Sequence, residues 1–401
     1  MPHNDVQARR NAIVLAVAMG LAGANASVVI ATGALVGSVL APSPDWATAP
    51  ITAFVVGTAL ATMPAAWMMR LMGRKDAYRI GAGIGVVAGL LAAWSVKEAL
   101  FWSFLAATML CGAYQAFVIS YRFGAADSAS PAFRPRAISY VVVGGLASAI
   151  VGPQLVIFTK DLMPPFTFLP SYIGQAVVAA LAIVVLGFLR FDPVPSGVGT
   201  PGEARPMREI FRSPRLRVAV VCGAISQALM NLIMTATPLA MIGCFHSTTD
   251  ATLAIQWHIV GMFLPGFFTG NLITRFGVYP VMIFGLVLLA LCGVVALSGL
   301  SVEHFFAALI LLGLGWNFAF VGASTLVVEG LKPSERTKVQ GINDLVVFVT
   351  TSVASLSAGK ILANFGWGTL NVTIFPFVIA AVILVLWLIR HEKKQAMTAG
   401  E

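Results

Sequence analysis

The sequence predicts an all-α membrane protein with twelve transmembrane helices arranged as two six-helix pseudo-repeats. Three observations predict this: a charge-poor composition, twelve apolar stretches of spanning length, and a motif that recurs at a fixed offset. Of 401 residues, 58% are hydrophobic and 10% charged, and the mean hydropathy is +0.89. Soluble domains carry roughly 25% charged residues, so the solvent of most of this chain is lipid. A spanning helix needs about 20 mostly apolar residues. Such stretches lie near 12–40, 49–70, 77–95, 99–121, 137–159, 168–189, 217–243, 251–274, 278–299, 303–329, 340–363 and 369–390. The first has no small-residue cleavage site behind a short apolar run, and reads as a retained span.

Orientation follows from the basic residues. An even number of spans puts both termini on one side, and the loops of that side hold 22 of the 25 Lys and Arg. Lys97 and Lys160 lie on the other side and Lys360 within a span. The positive-inside rule then places both termini in the cytoplasm of a multi-pass inner-membrane protein. Topology accounts for the net charge of +9, and no basic stripe with interleaved aromatics points to nucleic acid. The four cysteines, Cys111, Cys222, Cys244 and Cys292, are too few and too apolar in setting for a disulfide framework. The few His, Asp and Glu show no nucleophile–base pairing, and no phosphate-cradling Gly-x-x-x-x-Gly-Lys stretch occurs. An enzyme is not expected, nor a resident cofactor.

The polar, proline-rich stretch 191–216 separates residues 1–190 from 217–401, an N-terminal and a C-terminal six-helix half joined by a cytoplasmic linker. The halves repeat. Asp127-x-x-x-Pro131-x-x-Arg134-x-Arg136 follows span 4, and Glu329-x-x-x-Pro333-x-x-Arg336-x-Lys338 follows span 10. The offset of 202 also pairs Tyr114 with Trp316 and Gln115 with Asn317. Such parallel repeats relate two halves about an axis along the membrane normal, with a substrate path between them. Asp127 is expected to pair with Arg134, and Glu329 with Arg336, as loop ion pairs.

Spans 7 and 8 carry the candidate site. Met230 and Met234 share one face of a helix, as do His258 and Met262. Three thioethers and an imidazole form a soft set suited to Cu(I). Met is also common core filler, but a histidine deep in a span is expensive and functional by default. The 202 offset maps the four onto Val28, Thr32, Val56 and Leu60, so the set occurs in one half alone. Cys244, near Met241 and His246, lies at the outer end of span 7, and Cys222 lies near its inner end. The two are about 33 Å apart at 1.5 Å per residue.

Two six-helix halves, the basic stretch GRKDAYRIG (73–81) between spans 2 and 3, and the repeated acidic–Pro–Arg loops resemble the major facilitator superfamily over essentially the whole chain. The 73–81 stretch departs from that family's Gly-x-x-x-Asp-Arg-x-Gly-Arg-Arg signature, because Ala77 follows Asp76. Met-x-x-x-Met in span 7 with His-x-x-x-Met in span 8 is similar to the paired motifs of the CcoA-like copper importers, a branch of that superfamily. The resemblance implies copper import from periplasm to cytoplasm by alternating access, for assembly of haem–copper cytochrome oxidase. It implies Met230, Met234, His258 and Met262 as copper ligands, Cys222 and Cys244 as relay thiols, and a cytoplasmic copper acceptor as partner beside the lipid bilayer. Copper would be cargo, not cofactor. The same branch includes riboflavin carriers. An organic-solute carrier is the competing reading, and Trp316 and Tyr114 as ring-stacking residues keep it open.

Overall fold

The computed structural model describes residues 5–127, 129–130, 133–191, 205–329 and 331–399. Among them every regular element is helical. The first half runs α1 (Asp5–Leu40), α2 (Ala49–Leu71), α3 (Arg74–Lys97), α4 (Phe101–Ile119), α5 (Tyr121–Asp127), α6 (Arg134–Thr159) and α7 (Leu169–Leu186). It is followed by the short α8 (Met207–Ile210), then α9 (Pro214–Gly243), α10 (Thr248–Phe263), α11 (Gly266–Phe276), α12 (Val278–Ser298), α13 (Val302–Val328), α14 (Pro333–Val372) and α15 (Ile374–Ala399).

Ten stretches are long and apolar enough to cross a membrane, or eleven if the bent pair α10–α11 is one span. One of the ten, Lys338–Gln395, has 58 residues, about 87 Å of helix against a hydrocarbon core of roughly 30 Å. It breaks at Gly366, whose φ is 79°, and again between α14 and α15. Two crossings fit where one cannot, which gives the twelve. Exposed tryptophans mark the ends of the crossings, where an indole sits well at headgroup level. Trp46 and Trp102 meet edge to face at 5.9 Å beyond α1 and at the start of α4. Trp67 lies near the C-terminal end of α2 and is exposed.

By contact, the chain groups into two compact units: Met1–Ser196 with Thr235–Val260, and Gly197–Met234 with Gly261–Glu401. The grouping does not follow chain order alone, since the end of α9 and most of α10 go with the first unit. In that unit α1 lies along α6, α2 along α4, and α3 along α7. Glycines permit the close approach. A Cβ at Gly57 would stand 2.1 Å from the carbonyl oxygen of Met109, and one at Gly112 only 2.0 Å from that of Phe54. Small residues at such crossings are the usual solution in lipid, where van der Waals contact replaces the hydrophobic drive between helices. The core at one end gathers Leu15, Tyr78, Tyr114, Tyr121 and Leu186, and at the other Val28, Phe104, Val156 and Tyr172. In the second unit α12 packs on α13 and α15, with Val281, Leu288 and Phe318 forming a buried group.

The repeat extends to the backbone. Gly73 before α3 has φ 83°, ψ 162°, and Gly277 before α12 has φ 88°, ψ 160°. Both positions need the positive φ that glycine adopts without steric cost. The cations that meet the repeated acids differ from expectation. Asp127 pairs with Arg74 at the start of α3, while the Arg134 Nε–H donates to the Ala126 carbonyl at 3.2 Å. Glu329 pairs with Arg215 at the start of α9 at 3.0 Å. The side chain of Arg336, and Pro131, lie outside what the structure describes. Helix starts supply the partners in each unit: Arg74 opens α3 beside Asp127, and Arg215 lies in the first turn of α9 beside Glu329.

Candidate functional site

The site grows from α9. Gln227, Met230, Asn231 and Met234 fall within roughly 100° of arc on one face at 100° per residue. Met230 and Met234 are 2% and 3% exposed. All residues from Leu229 to Pro238 are buried, so this part of α9 is covered around its whole circumference. A helix buried all round gives methionine a packing role without any ligand. His258 on α10 is fully buried. Met262, one turn on, is half-buried and sits beside a break in the helix. Pro265 cannot donate a backbone hydrogen bond, α10 stops at Phe263, and α11 begins at Gly266.

Asn317 on α13 repairs that break. Its Nδ2 donates to the carbonyl of Met262 at 2.6 Å, and its Oδ1 accepts from the Thr269 hydroxyl at 2.6 Å. The neighbouring Trp316 is half-buried, donates its Nε1–H to Gln227 Oε1 at 2.6 Å, and lies on Phe320 with centroids 5.1 Å apart and planes 13° from parallel. Tyr114, its counterpart at the 202 offset, is fully buried, pressed so closely on Gly85 that a Cβ there would come within 2.4 Å of the ring. The two aromatic residues matched by the repeat are therefore unlike: Tyr114 is core, and Trp316 keeps an open surface.

The first unit has its own polar centre. Gln175 Nε2 donates to Asn25 Oδ1 at 2.7 Å and to Cys111 Sγ at 3.1 Å, and Asn25 Nδ2 donates to the Cys111 carbonyl at 3.0 Å. Gln154 of α6 donates to Gln256 of α10 at 2.8 Å. The buried Oε1 of Gln115 has no hydrogen-bond partner among the described residues. Of the expected relay thiols, Cys222 is buried with its Sγ 3.8 Å from the Ala381 carbonyl on α15, and Cys244 is half-buried just beyond α9. Among the described residues no three His, Cys, Asp or Glu side chains gather as a metal-binding cluster. Sequence reasoning passed over Gln227, Thr269 and Gln175. Their signal was an uncharged polar side chain inside an apolar span, which is rarely without a task.

At the start of α14, Arg205 clasps Glu335 with backbone N, Nε and Nη2 at 3.1, 2.8 and 2.9 Å. Those hydrogen bonds hold the Glu335 carboxyl at about 2, well below its ordinary range.

The sequence matches the Major Facilitator Superfamily over residues 15–241 and again over 219–400. The chain belongs to that superfamily. It is 46% identical to the riboflavin transporter RfnT of Brucella anthropi over 97% of this chain and 98% of that one. YddS, an uncharacterized MFS-type transporter of Bacillus subtilis, is 28% identical over 93% and 89% of the two chains. Among solved structures, a D323A mutant of the nucleoside transporter NupG superposes with a TM-score of 0.75 over 95% of this chain and 99% of that one, at 13% identity. A D-xylose–proton symporter gives 0.74 over 94% and 96%, at 16% identity. These structures share the superfamily fold, and with the family assignment they make the chain a multi-pass membrane carrier and not an enzyme.

The expected cargo is corrected by the same findings. A relative alike over the full length is a riboflavin transporter, so copper import and a place in cytochrome oxidase assembly lose their support, as does membership of the CcoA-like branch. Met230 and Met234 sit on a stretch of α9 that is buried throughout, a setting in which thioethers pack as readily as they ligate.

Proposed function

We propose that this member of the superfamily carries riboflavin across a bacterial inner membrane. One observation carries the reading: 46% identity along nearly the whole length of a riboflavin transporter, a likeness that includes the spans and not just the fold's apolar pattern. Trp316, half-buried beside Gln227, supplies the aromatic surface that a flat ring system asks for. Residues 1–190 and 217–401 act as the two moving halves, with 191–216 as linker and both termini in the cytoplasm, as the 22 basic residues of one side direct. The lipid bilayer is the partner.

A riboflavin auxotroph lacking its own transporter provides the test. Expression is expected to restore growth at low external riboflavin and saturable uptake of labelled riboflavin. Copper accumulation in the same cells is expected to stay at the level of the empty vector. Uptake of copper without uptake of riboflavin overturns the proposal.

A further inference from the structure

We infer that Trp316, Phe320 and Gln227 form the half-site that reads the isoalloxazine ring: the indole stacks on the ring plane and the Gln227 amide reads the ring's imide edge. The inference deepens the riboflavin reading and rests on it.

Within the second unit, Trp316 and Phe320 are four residues apart on α13 and therefore neighbours on one face. Their near-parallel stack, 13° at 5.1 Å, occupies one face of the indole and fixes its plane. Half-burial leaves part of the Trp316 side chain accessible, the surface we assign to a second flat ring, and stacking of this kind tolerates any π-face. The indole N–H is a donor only. The 2.6 Å contact to Gln227 therefore assigns the amide orientation, with Oε1 toward Trp316 and the NH2 group turned away. Oε1 keeps a second lone pair, and the NH2 makes no hydrogen bond among the described residues. A primary amide held so presents an acceptor beside a donor. A flavin's pyrimidine edge presents the complement, an imide N3–H flanked by carbonyl oxygens. Two parallel hydrogen bonds, N3–H to Oε1 and Nε2–H to a carbonyl oxygen, satisfy both partners. The same tryptophan thus fixes both elements of recognition, the plane by stacking and the edge through Gln227. Asn317, the next residue, ties α13 to the broken helix α10–α11 through Met262 and Thr269, so the platform stands on a braced helix.

The experiment uses the full-length carrier in proteoliposomes, with riboflavin and 3-methylriboflavin as probes. Wild type is expected to transport riboflavin, to quench its fluorescence on binding, and to prefer it over the 3-methyl analogue by at least about ten-fold, since the methyl group blocks the imide donor. Trp316→Phe keeps an aromatic ring but is expected to lose most of the quenching, and Trp316→Ala to raise KM about ten-fold. Gln227→Leu is expected to bring the two flavins to within about two-fold of each other while still quenching. That pattern is not produced by a general packing defect, which would lower transport of both flavins alike. Riboflavin transport by wild type with unchanged quenching and selectivity in the variants overturns the half-site and leaves the cargo standing. No riboflavin transport by wild type overturns both.

Discussion

At the scale of single residues, the buried polar groups are what this carrier depends on. Asn317 satisfies two partners at 2.6 Å each, the Met262 carbonyl and the Thr269 hydroxyl. The Met262 carbonyl lies at the break between α10 and α11, where its ladder donor would be the N–H of Gly266, and no backbone bond between the two closes there. Asn317→Leu removes both contacts at nearly constant volume and leaves a carbonyl unpaired in an apolar setting, at a cost of about 1–3 kcal/mol. We expect a lower unfolding temperature in detergent and reduced membrane abundance, with Asn317→Asp intermediate because it keeps the acceptor for Thr269. Equal thermal stability for all three proteins would show that the break in α10–α11 needs no support from α13. Much at this scale was hidden from the sequence. Met230, Met234 and His258 announced themselves through spacing, but spacing records which helix face a residue occupies and not what covers it. Gln227 had no periodic partner to mark it, and its role appears only where Trp316 meets it across two helices.

At the scale of elements, close contact and helix ends decide what the fold tolerates. α2 and α4 touch through Gly57 and Gly112, where a methyl group would stand about 2 Å from a facing backbone oxygen. Gly112→Ala must push the helices apart, and overpacking of this kind costs about 1–3 kcal/mol or more. Membrane abundance is expected to fall severalfold, whereas Gly83→Ala, which meets nothing within 4 Å, is expected to accumulate normally. At the N-terminal end of α14 the Arg205–Glu335 clasp has a defined pH signature. The carboxyl side chain has no exposed surface, and its pKa is about 2 against an ordinary 4.5. The unfolded chain therefore binds that proton first on acidification. The stabilisation is complete above about pH 4.5 and drains away as pH falls toward 2. The difference in unfolding temperature between wild type and Glu335→Gln should hold steady from pH 6 to 8 and close below about pH 4.5. A gap that persists unchanged at pH 3 would place the stabilisation in packing and not in charge.

At the scale of the whole molecule, fold class and the number of crossings were legible because apolar length is a constraint the bilayer imposes on sequence directly. The pseudo-repeat was legible in part. Asp127 and Glu329 revealed it at an offset of 202, but their partners Arg74 and Arg215 stand at helix starts that the offset does not relate. Gly73 and Gly277 share one backbone conformation at a separation of 204, which a fixed offset misses. The cargo was the least legible, since unrelated solutes are carried on one superfamily fold. Orientation is a property of this scale too, and the one proposed above rests on charge asymmetry. Each Lys or Arg resists transfer to the outer face, and 22 against two in the loops leaves one arrangement far below the other in free energy. A fluorescent protein fused after residue 401 should therefore glow, because it folds in the cytoplasm, and alkaline phosphatase fused there should be inactive. Phosphatase inserted in the loop after Lys160, between α6 and α7, should be active. Moving the bias tests the cause: neutralising Arg9 and Arg10 alone should leave the reporters unchanged, because twenty basic residues still hold the same face. An active phosphatase at the C-terminus of the otherwise unaltered chain would invert the topology and, with it, the side on which the linker and the Arg205–Glu335 clasp lie.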